Sequence, residues 1–394
     1  MTERTYPKLV LLAGIAAMGS MAIHMLVPAL PLIAADFAVG PGEAQHILGF
    51  YLFFLGAGQL VAGQFIDRIG RRPVLLAGLL AYAAGAFAAW LAPSFPALLA
   101  ARVLQAGGGA AGVVTARVIV SDSGSPGEGA ARQATLMMVV LISPALSPVI
   151  GGLIASSSGW RAVFAVLAFA GLLAFAAAWA SISETGPRRR EVEPAPSLVR
   201  SLWAGYLRLL TDRRFLGAAG TLAAMSSALY IFLANAPFLL VSRYGLSPDE
   251  VGIAFLFVAA GGIVGSRFVA MLERRTDPLA AGVALGVAGA VAALAADLAG
   301  FTGPVALIAP LILLGVSAGI AGPAGIGRAI AVNSTLAGTA ASLAGAGQML
   351  ISAFSITVMS WLSPVGPSKL CSALVIATAI AAACAVLARP LATR

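Results

Sequence analysis

The chain has 394 residues, 60% of them hydrophobic and only 10% charged, and a mean hydropathy of +0.97. A soluble domain carries roughly 25% charged residues, so this chain lacks the polar surface to cover a water-soluble body, and its recurring apolar runs define a polytopic membrane protein. The net charge of +9 lies in short loops between those runs, which is how a membrane protein fixes its orientation and excludes a nucleic-acid-binding reading.

Arg4 and Lys8 precede an apolar run from Leu9 to about Ala35. That run exceeds the roughly 7–15 residues of a cleavable signal core, so it is read as a retained first helix. Apolar stretches broken by charges or Pro/Gly turns then predict twelve spans: 9–35, 44–66, 73–92, 96–120, 131–156, 161–182, 214–241, 248–272, 278–299, 303–328, 337–361 and 370–389. The expected fold is an all-α membrane protein with twelve transmembrane helices in two six-helix bundles related by a pseudo-two-fold axis. The long polar stretch "SETGPRRREVEPAPSLVRSLWAGYLRLLTDRR" (183–214) separates the halves. It divides the chain into an N-terminal bundle (1–183), a linker (184–213) and a C-terminal bundle (214–394). From Ser197 this stretch is read either as a plain linker or as a short amphipathic helix on the membrane surface. Arg4, Lys8, Arg68, Arg71, Arg72, Arg132, the 188–214 cluster, Arg274, Arg275, Arg328, Arg389 and Arg394 fall on one side, against Arg161, Arg243 and Lys369 on the other. The positive-inside rule then places both termini and the central stretch in the cytoplasm. Cys371 and Cys384 lie thirteen residues apart in the last span. A helix separates them by roughly 20 Å, too far for a disulfide.

Span 2 ends in "GQFIDRIGRRPVLL", residues 63–76. Asp67, Arg68, Arg71 and Arg72 crowd a tight turn, and Pro73 opens the next helix. Such a charge cluster can latch one conformation and release in another. "GSRFVAMLERRTDP" (265–278) follows span 8 in the same place of its half, a weak internal repeat. Paired halves of this kind point to a two-bundle transporter with its site near the midplane.

The order of Gly63, Asp67, Arg68, Gly70, Arg71 and Arg72 resembles the signature loop of the major facilitator superfamily. Two further segments narrow the likeness. "RVLQAGGGAAGVVTARVIVSD" (102–122) resembles the motif with a membrane-embedded arginine followed by glutamine, carried here by Arg102 and Gln105, with Ala106 where glycine is usual. "SPALSPVIGG" (143–152) resembles the antiporter motif of the drug:proton branch, matching at Pro144, Pro148, Gly151 and Gly152. With "VPALPLIAADF", these segments are most similar to the bicyclomycin/chloramphenicol-resistance (Bcr/CflA-type) exporters. That resemblance implies alternating access in a bacterial inner membrane, coupled to protons. It also implies that Asp122 pairs with Arg71 or Arg72 and that Asp67 meets the start of span 11. One departure stands out. The group usually reads D-M-Y-L-P-A-L-P where this chain has His24-Met25-Leu26-Val27-Pro28-Ala29-Leu30-Pro31, so an aspartate thought to carry the coupling proton is a histidine here.

All fifteen acids are placed in loops or at span edges, leaving His24 and Arg102 as the ionisable groups within the membrane core. A charged group there costs about 2.5–3.5 kcal/mol on insertion scales and is usually functional. With an unperturbed pKa near 6.5, His24 is a candidate for the coupling proton or a substrate acceptor group, against a neutral, hydrogen-bonded histidine. Arg102 shares the proton-coupling candidacy, against a purely structural bond to backbone carbonyls. Substrate-cavity candidates are His24, Tyr51, Gln59, Arg102, Gln105, Tyr230, Phe232, Asn235, Phe238 and Gln348, against ordinary helix packing. A core without carboxylates favours neutral or anionic substrates over cations.

"GGGAAG" (107–112) fits a dinucleotide pattern, but no strand precedes it, so helix packing is the better reading. No catalytic constellation, metal set or cofactor is expected, and the partners are a small-molecule substrate, protons and the bilayer, for a monomer. The leading reading is a proton-coupled exporter of drugs or metabolites. The alternative is a uniporter or importer of an anionic or neutral solute. A sensor or scaffold has no positive support. Asp67→Asn is expected to cut transport at least about 10-fold while leaving substrate binding intact, because the latch acts on interconversion. Unchanged transport in that variant argues against a latch.

Overall fold

The computed structural model describes residues 6–122, 128–185 and 205–389. The Asp67 side chain, the basic run at 188–190 and the stretch from Ser197 to residue 204 lie outside the described residues. Helices make up the fold: α1a (Tyr6–His24), α1b (Leu30–Asp36), α2 (Pro41–Ile69), α3 (Arg71–Trp90), α4 (Phe95–Asp122), α5 (Glu128–Ser158), α6 (Trp160–Ser181), α7 (Arg213–Ser242), α8 (Pro248–Glu273), α9 (Pro278–Leu298), α10 (Pro304–Ala331), α11 (Ala337–Trp361) and α12 (Pro367–Leu387). Among the described residues, counting α1a and α1b as one run (Leu9–Asp36), twelve helices are long and apolar enough to cross a membrane. Large apolar side chains such as Phe169, Phe268 and Val305 stay exposed on their surfaces, as lipid-facing positions do.

The first span was expected as one continuous helix, and the structure breaks it. Pro28 and Pro31 have no N–H, so the carbonyls one turn before each lose their helical donors. The chain answers with a 3-10 turn at Val27–Ala29 between α1a and α1b. The Leu26 N–H bonds to Ile23 O at 3.2 Å, and Ala29 N–H bonds to Leu26 O at 3.0 Å. The α-pattern is thus abandoned at Ala22, whose carbonyl no longer receives the amide four residues on.

Contacts divide the chain into two units, residues 1–190 with 246–253, and residues 191–245 with 254–394. Within the first, α3 packs on α4 through Gly78 and Gly85, which lie against the backbone at Gly108 and at Gln105. Within the second, α9 packs on α10 through Gly282 and Gly289, which lie against Ala321 and the Pro310 carbonyl. Each glycine pair is seven residues apart, so both halves bring corresponding helices together by the same device.

α5 carries Pro144 and Pro148 inside its length. The missing amide of Pro144 would strand the Val140 carbonyl, and the Ser143 hydroxyl donates to it at 3.1 Å instead. Gly151, one turn beyond the prolines, lies directly on the Met25 carbonyl in the break of the first span, so close that a side chain there would overlap it. Within the same first unit, Gly152 lies on the Pro248 carbonyl and Gly252 on the Pro148 carbonyl. The resemblance to the antiporter motif therefore falls on a segment whose glycines meet backbone at short range.

Candidate functional site

The break in the first span is held by side chains from three neighbouring helices. Arg102 on α4 is completely buried and donates from NH2 to the Ala22 carbonyl at 3.2 Å. That is the oxygen which the α-pattern abandons. Its NH1 donates to Gln105 Oε1 at 2.6 Å, one turn along α4. The guanidinium carbon lies 3.9 Å from the centre of the Tyr51 ring on α2 and 5.7 Å from that of Phe164 on α6. Planar stacking on an aromatic face holds a weakly hydrated guanidinium in a dry interior, where an ammonium would fare worse. The Tyr51 hydroxyl donates to Gly19 O at 3.1 Å, and the Tyr82 hydroxyl on α3 to Met18 O at 3.2 Å. Three carbonyls of α1a, at residues 18, 19 and 22, therefore receive donors from α3, α2 and α4.

His24 is the last residue of α1a, two positions past Ala22, and is 5% exposed. Its Nδ1 lies 2.8 Å from the Ser20 carbonyl. A carbonyl only accepts, so Nδ1 carries the hydrogen, and any gain or loss of a proton at neutral pH falls on Nε2. The charge set nearby is one-sided. Every Asp and Glu among the described residues lies in a connecting segment or in the first or last turn of a helix, while Arg102 and His24 lie within the spans. Among the described residues, Arg102 Nε has no hydrogen-bond partner.

The remaining candidates divide between the units. Gln59 is half-buried on α2. In the second unit Tyr230, Phe232 and Asn235 are buried on α7, with Phe238 half-buried. The Asn235 amide donates to Ile231 O at 2.9 Å, and the Phe232 ring meets Phe255 edge-on, centroids 5.2 Å apart. Gln348 is half-buried on α11. The structure thus brings Tyr51, Arg102 and Gln105 together, with His24 close along α1a.

The signature loop is built from backbone as much as from charge. Gly70 joins α2 to α3 at φ 105°, a conformation that strains any residue with a side chain. Arg71 Nε donates to Asp122 Oδ2 at 3.0 Å. Arg72 turns away, donating from Nε to Ile182 O at 2.8 Å and from NH2 to Trp179 O at 3.0 Å at the end of α6. Glu184, just past α6, accepts the backbone N–H groups of Arg71 and Arg72 at 2.9 and 3.1 Å. Arg68 is exposed beside them.

Sequence reasoning missed several of these residues. Tyr82 read as one aromatic among many, and its partner is a backbone carbonyl that leaves no pattern. Glu184 read as the start of a linker, although an acid just after a helix and near a basic turn is a usable signal. Arg117 sits inside α4, about a turn and a half from its end, and was left out of the charge count. Among the described residues no group of three or more His, Cys, Asp or Glu is placed to hold a metal.

Removing Arg102 strands Gln105 Oε1 and the Ala22 carbonyl, each costing about 1–3 kcal/mol when buried. Arg102→Ala is expected to lower the thermal midpoint by several degrees, and Arg102→Lys to rescue little, because one ammonium cannot fork to both acceptors and stack on Tyr51. Thermal unfolding of the purified variants checks this. A lysine variant as stable as the parent contradicts it.

The sequence profile of the Major Facilitator Superfamily matches residues 10–356. The chain is 30% identical over 310 residues to a chloramphenicol resistance protein of Pseudomonas aeruginosa, covering 78% of this chain and 72% of that protein. It is 29% identical over 374 residues to multidrug resistance protein D of Escherichia coli (strain K12), covering 93% and 92%. Among solved structures it superposes on a bacterial homolog of the human lysosomal transporter Spinster with a TM-score of 0.74 at 16% identity, covering 98% and 95%. The twelve-helix fold, the signature loop built around Gly70 and Arg71, and these matches make the chain a multi-pass membrane transporter that belongs to the major facilitator superfamily.

Proposed function

We propose that the chain is a proton-coupled exporter of drugs or hydrophobic metabolites, working by alternating access in a bacterial inner membrane with both termini in the cytoplasm. The names of its relatives support drug export, since two of them are a chloramphenicol resistance protein and a multidrug resistance protein. The excess of arginine in the loops on one side supports the orientation.

The observation that carries the substrate preference is the one-sided chemistry of the spans. Arg102 and His24 lie inside them, and acids among the described residues lie in connecting segments or in the first or last turn of a helix. A lipophilic cation entering such a region meets a fixed positive charge without a carboxylate to offset it. A neutral molecule rich in acceptors, or an anion, meets donors. Neutral and anionic substrates are therefore favoured over cations.

A second reading has its own support. The position where similar exporters carry an aspartate holds His24, and a facilitator of a neutral or anionic solute needs no proton-carrying acid. Two measurements separate the readings. A susceptibility panel in an efflux-deficient bacterium should show protection against neutral or anionic drugs, and strong protection against a quaternary ammonium compound contradicts the substrate claim. For coupling, the export rate should depend on pH, and His24→Ala should flatten that dependence. An unchanged profile in His24→Ala rules out His24 as the proton carrier.

A further inference from the structure

Among the described residues, Arg71 pairs with Asp122, Arg161 with Asp36 and Arg328 with Asp277. All six side chains lie in the first or last turn of a helix or at its cap, and they are between 13% and 43% exposed. Water would solvate each of these charges without its partner, so such pairs contribute little. Arg102 is in the opposite position. It is completely buried, and its contacts are neutral: the Gln105 amide, the Ala22 carbonyl, and the Tyr51 and Phe164 rings. Among the described residues no carboxylate pairs with it.

The hydrogens tell the same story as the charge. A guanidinium carries five N–H donors and no acceptor. NH1 donates to Gln105 Oε1 and NH2 to the Ala22 carbonyl, while Nε, also buried, has no hydrogen-bond partner among the described residues. The Nε–H and one NH2 hydrogen lie parallel along one edge of the group, the fork through which arginine takes an anion by two bonds. NH2 carries a second hydrogen beyond the one it gives to Ala22.

An isolated ion is costly to bury, and arginine does not escape the cost by losing its proton. Ring faces offset part of it, yet they bring no negative charge. A buried water would satisfy Nε and leave the charge as it was. What the site needs is one negative charge with an acceptor for that edge. The ion must also be small and give up its own water to fit a region closed to solvent, which suits a halide and not a phosphate or sulfate.

We propose that Arg102 holds a small monovalent anion of halide size on the Nε–NH2 edge of its guanidinium, beside the break of the first span, and that this ion supplies the negative charge that no side chain supplies there. The ion is a resident ligand and not the cargo, so the proposal needs neither drug export nor proton coupling.

The test uses the purified full chain, without drug, in sodium bromide or sodium gluconate at equal ionic strength. Bromide should raise the thermal midpoint by about 2 °C or more, and the gain should saturate with concentration. Gln105→Glu keeps the size of the side chain and puts a carboxylate where Oε1 now lies 2.6 Å from NH1. With the charge supplied from within, its midpoint in gluconate should rise and the bromide gain should vanish. Arg102→Met should lose the gain as well. Should that variant fail to fold, anomalous scattering from bromide in crystals of the parent should place the ion within hydrogen-bond reach of Arg102 Nε. Equal midpoints of the parent in the two salts overturn the proposal, and so does an undiminished bromide gain in Gln105→Glu, which marks a general salt effect. A midpoint that responds to sodium acetate and not to bromide assigns the edge to a carboxylate group, such as a substrate carries, and overturns the halide claim. Drug export enters none of these readouts, so this site and the substrate reading can fail separately.

Discussion

One hydrogen bond organises the first unit: Arg102 to the carbonyl of Ala22. Pro28 and Pro31 forbid a continuous first span, and the chain resolves the conflict with a 3-10 turn that leaves this oxygen without its helical donor. In a bilayer such a carbonyl must be satisfied from within the protein. A guanidinium does this with one arm while its other arm holds Gln105 and its face lies on Tyr51. Arginine is suited to the task because it is planar, multidentate and weakly hydrated. Around it, Tyr51 and Tyr82 pin the preceding carbonyls, and Gly151 lets α5 close on the Met25 carbonyl. The break is therefore a built element, held from four neighbouring helices.

The same arrangement sets the chemistry. The groups that secure the first span are donors and a cation, and the acids among the described residues lie in connecting segments or in the first or last turn of a helix. His24 closes α1a, with its Nδ1 donating to the Ser20 carbonyl.

Much of this was legible in the sequence, for identifiable reasons. Span positions followed from apolar runs, which lipid enforces more strictly than water does. The bond between Arg71 and Asp122 was half legible: the resemblance of the signature loop and of the span-4 motif offered Arg71 or Arg72 as the partner of Asp122, and the structure selects Arg71. Arg102 was legible because a charge inside a span is costly and rarely idle. The break at Val27–Ala29 was not placed, although Pro28 and Pro31 announce it, because apolarity alone cannot distinguish a bent span from a straight one. Tyr82 was illegible, since its partner is a backbone oxygen sixty-four residues away.

Coupling is the claim on which the functional account turns, because the resemblance implies an aspartate where this chain has His24. The direct measurement is proton flux in proteoliposomes containing the purified chain, with an imposed pH gradient, a pH-sensitive dye and chloramphenicol as the added compound. Proton movement that begins on addition of the compound, opposes its direction and vanishes when the gradient is collapsed is the predicted result. Movement of the compound down its own gradient, with the dye unchanged, contradicts proton-coupled export.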